Sequence, residues 1–263
     1  MAARERIDRL LVARGLAESR TRAQALVIAG QVLVDGTRVD KPGSMVPLTA
    51  SLQVKGRDHP FVSRGGAKLQ GALLHFGART EPPVLTLAQR VAMDVGASTG
   101  GFTDCLLQHG VARVHAVDVG YGQLAWKLAT DPRVVVHDRC NIRTLSPEVI
   151  GEPIALCVID CSFIALAKVL PHVPAFLGDD ADVIALVKPQ FELDPARVGK
   201  GGIVRDDGDR REALDSAEAA AAACGMVVVA HCESVLEGKT GNREWFTWLR
   251  WTRGEPGRTI APP

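Results

Sequence analysis

Two charged residues in this chain each close an apolar run. Asp160 follows Pro153-Ile154-Ala155-Leu156-Cys157-Val158-Ile159, and Lys188 follows Asp182-Val183-Ile184-Ala185-Leu186-Val187. Runs of this kind read as buried strands, and the carboxyl ends of strands in a parallel sheet line the ligand crevice. Asp160 and Lys188 are therefore expected on one edge of one pocket, an acid beside an amine, where a proton can be held and moved. A third run, Val114-His115-Ala116-Val117-Asp118, ends in an acid about 20 residues past Gly96-Ala97-Ser98-Thr99-Gly100-Gly101, the separation at which a strand-end carboxylate grips a ribose diol. Two further candidates carry less by themselves. Lys68, in Ser63-Arg64-Gly65-Gly66-Ala67-Lys68, reads as a surface residue opening a helix, and Glu244, ahead of Trp245-Phe246-Thr247-Trp248, can be an exposed strand residue.

These residues need a frame. Arg90-Val91-Ala92-Met93-Asp94-Val95 reads as a buried strand that runs into the glycine loop, followed by a helix over 102–108 closed by Gly110. A strand, a glycine-rich turn and a helix amino terminus let backbone approach a ligand closely. The loop has neither the Gly-x-Gly-x-x-Gly spacing nor the Gly-Lys-Ser/Thr ending of a Walker loop. Further strands are expected at Val134-Val135-Val136-His137, at Met226-Val227-Val228-Val229-Ala230 and in the aromatic run from Trp245, with helices between most of them, notably over 210–224. The pattern predicts a doubly wound α/β sheet. Asn141, just past the third strand, is either an adenine partner or a turn residue.

The amino-terminal part differs in charge. Residues 1–70 hold 12 Lys+Arg against 6 Asp+Glu, whereas the remainder holds 19 against 24, within a total of +1. A basic segment on a mildly acidic body suggests a polyanion-binding module on an enzyme core. Ile7, Leu10, Leu11 and Ala13-Arg14 have helical spacing stopped by Gly15; Ser19 caps a second helix over 20–29 that ends at Gly30. Asp35-Gly36 between alternating apolar residues predicts a hairpin. Arg4, Arg6, Arg20 and Arg22 fall on or beside the helices, where guanidinium groups suit phosphate contacts. Pro42, Gly43 and Pro47, then Lys55-Gly56-Arg57-Asp58-His59-Pro60, mark loops and a boundary near residue 60.

The bulk properties exclude several classes. A hydrophobic content of 46% over 263 residues is ample for a core, and no apolar run is long enough to span a membrane. The mixed charge of the first residues argues against a secretion signal and for a cytoplasmic protein. Six cysteines without a Cys-x-x-Cys pair read as reduced thiols packed as small hydrophobes, so no metal is expected.

The order of motifs resembles known families. Arg6-Ile7-Asp8-Arg9-Leu10-Leu11, Ser19-Arg20-Thr21-Arg22-Ala23-Gln24-Ala25-Leu26-Val27 and Ala29-Gly30-Gln31-Val32-Leu33-Val34-Asp35-Gly36 together resemble the small RNA-binding module of ribosomal protein S-four, which implies docking onto structured RNA. Asp94 to Thr103, Asp118-Val119-Gly120-Tyr121-Gly122-Gln123-Leu124, Ser162-Phe163-Ile164, Val187-Lys188-Pro189-Gln190-Phe191 and Gly241-Asn242-Arg243-Glu244 resemble the TlyA family of FtsJ-like ribose methyltransferases. The resemblance implies a Rossmann-like class I methyltransferase sheet over 61–263 behind a small α+β RNA-binding domain over 1–60. It also implies S-adenosylmethionine as methyl donor and 2′-O-methylation of ribose, cytidine, in 16S and/or 23S ribosomal RNA, free or in ribosomal subunits. A Lys-Asp-Lys-Glu catalytic group then lands on Lys68, Asp160, Lys188 and Glu244. The donor would be held by Asp94, Gly96, Ala97, Ser98, Thr99, Gly100, Gly101, Phe102, Asp118, Asn141 and Asp160.

Those residue types suit the reaction. A ribose hydroxyl is a poor nucleophile, and a positioned base must take or share its proton during in-line attack on the sulfonium methyl. An ammonium, titrating near ~10.4, becomes a base once desolvation or a second cation favours the neutral amine. Lys188 is assigned as base, Lys68 as its cationic neighbour, and Asp160 and Glu244 as orienting groups. A nicotinamide-dependent dehydrogenase would also use a glycine loop and Asp118, but the loop spacing and the basic module disfavour it. Pseudouridine synthases carry S-four-type modules without this donor loop, and an RNA-binding or haemolysin-like factor without methyl transfer is the remaining alternative.

Overall fold

The computed structural model describes residues 4–14, 16–17, 19–54 and 59–254. The expected helix stop at Gly15, the boundary residues 55–58 and the segment after residue 254 lie outside them. The chain forms two compact units, Met1–Pro60 and Phe61–Pro263.

In the first unit, strand β1 (Arg4–Arg6) leads into helix α1 (Ile7–Ala13), followed by α2 (Arg20–Ile28), β2 (Val32–Val34), β3 (Thr37–Arg38), β4 (Met45–Pro47) and β5 (Leu52–Val54). The Ser19 hydroxyl accepts from the Arg22 amide at 3.2 Å, so the cap read from the sequence is made. Asp35 and Gly36 both have positive φ, +48° and +79°, which gives the hairpin twist that two-residue turns favour. The β1–β4 pair and the addition of β5 beside β2 were not anticipated. β1, β4 and β5 have three residues each, too short to display a period. Ile7, Leu11, Ala23, Val27 and Val32 form the core. Asp8, fully buried, accepts from Arg6 at 2.9 Å, from Arg20 at 3.0 Å and from Gln24 at 2.9 Å. The Arg6 bond is the main reason its carboxyl lies well below the usual carboxylate range.

The second unit runs α3 (Arg64–Gly77), β6 (Val91–Val95), α4 (Gly101–Gln108), β7 (Arg113–Asp118), α5 (Trp126–Ala129), β8 (Val134–Asp138), α6 (Pro147–Ile150), β9 (Ile154–Ile159), β10 (Leu177–Val187), α7 (Pro189–Glu192), α8 (Asp207–Ala223), β11 (Val227–Glu233) and β12 (Trp245–Thr252). Its seven strands lie in the order β11-β12-β10-β9-β6-β7-β8. The five from β8 to β10 are parallel, while β12 runs antiparallel to both β10 and β11. The strand order reverses at β6, which has β7 on one side and β9 on the other. Such a switch point opens a crevice at the carboxyl ends of its strands. The reversed direction of β12 matters for the site: Val187 pairs with Trp245, so β12 begins where β10 ends. Lys188 and Glu244 therefore leave the sheet at the same edge.

Candidate active site

The glycine loop, the ends of β7 and β9, and the turn after β10 meet at this crevice. Gly96 has φ +86°, and a Cβ there would come within 2.8 Å of the Asp160 carbonyl, so the loop lies directly against the end of β9. Asp118 accepts from the Ser98 and Gly120 amides, each at 2.7 Å, which locks the loop to the end of β7. Asp118, Asn141, Gly96, Ser98 and Asp160 line a cavity of about 530 Å³. Asn141 also accepts from the Arg143 amide at 3.1 Å, so it is a turn residue and a wall residue together. Ala97, Thr99 and Gly101 line the adjoining cavity described below. Phe102 lines that cavity as well and, buried, lies 5.9 Å from Phe246, whereas Gly100 acts in packing, since a Cβ there would strike Leu128 at 2.4 Å.

Lys188 and Asp160 are brought together as expected, with Nζ 2.5 Å from Oδ1. The same Nζ donates to Ser162 Oγ at 2.9 Å and to the Cys161 carbonyl at 3.0 Å. Lys68 Nζ donates to Glu244 Oε2 at 2.5 Å. Both pairs line a second cavity of about 970 Å³ that shares Gly96, Ser98, Asp160 and Ser162 with the first.

The surface readings of Lys68 and Glu244 are corrected: they are 8% and 3% exposed. Two packing events invisible in local sequence bury them. A Cβ on Gly66 would sit 2.7 Å from the Gly101 carbonyl, so the paired glycines let α3 lie close on α4 and carry Lys68 inward. The antiparallel entry of β12 supplies Glu244. A signal for Lys68 did exist, since it stands four and eight residues before Ala72 and Phe76 on the buried stripe of α3.

Asp94 lies behind the glycine loop. It is fully buried, and its Oδ2 accepts from the Thr103 amide at 2.9 Å and hydroxyl at 2.7 Å, while Oδ1 has no partner among the described residues. Burial pushes its carboxyl up to about 7, and the charges of Asp160 and Asp118 push the same way. Three carboxylates thus surround the loop, a set that fits a positively charged ligand with a diol.

Sequence reasoning passed over Ser162, named within a motif but given no role. It also gave none to Phe163, which is 90% exposed, has φ +64° and lies 5.2 Å from Phe191. In the first unit Arg4 and Arg22 are exposed, whereas Arg6 and Arg20 are partly engaged by Asp8. No cluster of metal-binding side chains occurs among the described residues.

Comparison with known proteins agrees with this layout. The family model for FtsJ-like methyltransferases matches residues 61–251, and that for the S4 domain matches residues 5–50. The 16S/23S rRNA (cytidine-2'-O)-methyltransferase TlyA of Mycobacterium tuberculosis is 47% identical over 95% of this chain and 91% of its own length. A Streptococcus thermophilus structure described as a hemolysin superposes with TM-score 0.72 at 39% identity, covering 96% of this chain and 90% of that one. An S-adenosylmethionine dependent methyltransferase from Mesorhizobium loti, at 15% identity and TM-score 0.51 over 72% of this chain and all of that one, shares the fold. With a strand-end acid, a glycine loop and buried lysine–carboxylate pairs on this sheet, and with matches that run nearly end to end, the chain belongs to the TlyA family of FtsJ-like methyltransferases.

Proposed function

We propose that this protein is a cytoplasmic methyltransferase that uses S-adenosylmethionine to methylate the 2′-hydroxyl of a cytidine ribose in 16S and/or 23S ribosomal RNA. The observation that carries the reading is the Lys188–Asp160 pair, 2.5 Å apart at the rim where the two cavities join. The M. tuberculosis relative, at 47% identity, supplies the substrate class.

The donor, when bound, supplies an electrophilic methyl group on a sulfonium cation. Asp118 is suited to the donor's ribose hydroxyls, Asn141 to its adenine edge, and Asp94 with Asp160 to its positive charge. Lys188 takes the proton of the acceptor hydroxyl; Asp160 and the Cys161 carbonyl fix its amine. Lys68, held by Glu244, keeps a second positive charge on the same cavity. That charge faces the anionic RNA. The hemolysin name of one relative finds no helix to go with it: none among the described residues is long and apolar enough to cross a membrane.

The test is transfer of labelled methyl from S-adenosylmethionine to small and large ribosomal subunits from cells lacking the gene, with the product nucleotide identified by mass spectrometry. A 2′-O-methylated cytidine is expected. Label on a base, or none on either subunit, would overturn the reading.

Donor binding is expected to depend on pH through Asp94. Its carboxyl titrates at about 7 in the free protein, and a cationic ligand favours the ionised form. Affinity measured calorimetrically should therefore rise from about pH 6 to about pH 8 and then level off. The sign for stability is opposite. A carboxyl raised above its ordinary value contributes stability that is full below about pH 4 and lost as pH rises through about 7. Asp94→Asn should thus raise the thermal midpoint at alkaline pH while weakening donor binding and flattening its pH dependence. A pH-independent affinity in the parent protein would contradict this.

The S4 unit is assigned RNA affinity rather than chemistry. Arg4 and Arg22 are exposed, so Arg4→Ala and Arg22→Ala should each weaken RNA binding by the full chain and reduce the slope of log affinity against log salt by about 1. Arg6→Ala and Arg20→Ala should additionally loosen the unit, because each also removes a partner of Asp8. Slopes unchanged in all four variants would remove these arginines from the interface.

A further inference from the structure

The three contacts of Lys188 raise a question that the reading of Lys188 as base leaves open. Nζ donates to Ser162 Oγ at 2.9 Å and to the Cys161 carbonyl at 3.0 Å, and it lies 2.5 Å from Asp160 Oδ1 in an ion pair whose oxygen meets no donor in hydrogen-bond geometry among the described residues. An ammonium carries no lone pair, so none faces the cavity. To accept a proton, Nζ must first become an amine, and one of the three contacts must change. A carbonyl only accepts; a hydroxyl accepts and donates at once; a carboxylate that took the proton would give up the charge that holds Nζ. Ser162 is therefore the partner that can take a proton on one side of its oxygen and release one on the other while the Asp160 charge stays in place.

Its position suits that task. Lys188 is 8% exposed, whereas Ser162 is exposed and lines both cavities. A proton leaving Nζ through Ser162 emerges where water enters. The neighbouring thiol is no rival: burial pushes Cys161 up to about 12, and its Sγ is directed to the Val95 carbonyl at 3.7 Å.

We propose that Ser162 passes the proton of Lys188 to water, readying the amine before each methyl transfer and resetting it afterwards. In the readying step an Nζ–H bond breaks as Oγ gains that proton, and the original Oγ–H proton moves to a water molecule. This leaves a neutral amine whose lone pair points at Ser162, and rotation about the Cε–Nζ bond turns it to the cavity. During transfer the lone pair takes the ribose hydroxyl proton as the new O–C bond forms and the S–C bond breaks, its electron pair remaining on sulfur. The ammonium is restored, and one proton per methyl group leaves by the same route. Ser162 acts through Lys188 and makes no claim on the RNA or the donor.

The proposal rests on Lys188 being the base, so both are tested together. Single-turnover methylation of ribosomal subunits from cells lacking the gene, at saturating labelled S-adenosylmethionine, would be measured for the full-length parent protein, Ser162→Ala, Ser162→Thr and Lys188→Ala. Ser162→Ala should be slower by roughly 10²-fold, the low end of what positioned proton transfer contributes. Its donor and subunit affinities should match the parent's. Ser162→Thr, which keeps the hydroxyl, should restore most of the rate. Added imidazole, a small proton carrier, should accelerate Ser162→Ala and leave the parent unchanged. A full-rate Ser162→Ala beside an inactive Lys188→Ala would overturn the relay alone. A slow Ser162→Ala that neither threonine nor imidazole rescues would reduce the residue to packing, which also overturns it. A full-rate Lys188→Ala would overturn relay and base together.

Discussion

Lys188→Ala is expected to lower methyl-transfer turnover by roughly 10²- to 10⁴-fold, the range that positioned proton transfer contributes, with donor and RNA affinities near the parent's. The lysine lines the cavity from the end of β10, and its partners belong to the protein, so truncation removes a proton acceptor without removing a wall. Lys188→Arg should not rescue the rate. A guanidinium stays protonated and cannot act as base, and its planar fork cannot reproduce a tripod of contacts to three different acceptors. Lys68→Ala should slow the reaction less, through loss of the second charge and release of Glu244. Single-turnover rates, with binding measured separately, decide this. A Lys188→Ala enzyme that turns over normally once donor and RNA are saturating would assign the lysine to binding.

The largest stability effect is expected away from the cavity, at Asp182. This fully buried carboxylate near the start of the paired part of β10 accepts from Trp248 Nε1 at 2.7 Å and from Arg250 at 2.9 Å, and it also pairs with Arg90. It ties the antiparallel strand β12 and the residue just ahead of β6 to the centre of the sheet. Asp182→Ala would leave an indole N–H and two guanidinium groups without their common acceptor, at a cost of about 3–5 kcal/mol. Asp182→Asn keeps an acceptor for Trp248 and should cost less. Denaturant midpoints at constant slope test the order. Equal, small losses in both variants would show that the arginines find other partners.

Asp160, Lys188 and Asp118 were legible because strand ends carry ligands in parallel sheets, and an acid or amine closing an apolar run marks such an end. Ser19 and Asp35-Gly36 were legible because caps and tight turns demand particular side chains. Lys68 and Glu244 were not legible from residues alone. Their burial depends on the approach of two helices at Gly66 and Gly101 and on the direction of β12, both tertiary facts. Family resemblance found them where local reasoning placed them on the surface. Asp182 was read as the first residue of a strand, because nothing in its own run announces Trp248 and Arg250, which reach it from β12. Ser162 was overlooked for a related reason: its contact with Lys188 is made across the turn after β9, a tertiary fact.

Ribose methylation requires that the 2′-oxygen be the methylated atom. Once the modified nucleotide is mapped, subunits reconstituted with RNA carrying a 2′-deoxy substitution at that position can be offered to the enzyme with labelled S-adenosylmethionine. If Lys188 removes a proton from the ribose hydroxyl, the substituted subunits still bind and incorporate no label at that nucleotide. Label that persists there without the 2′-hydroxyl would contradict ribose methylation and assign the chemistry to the base.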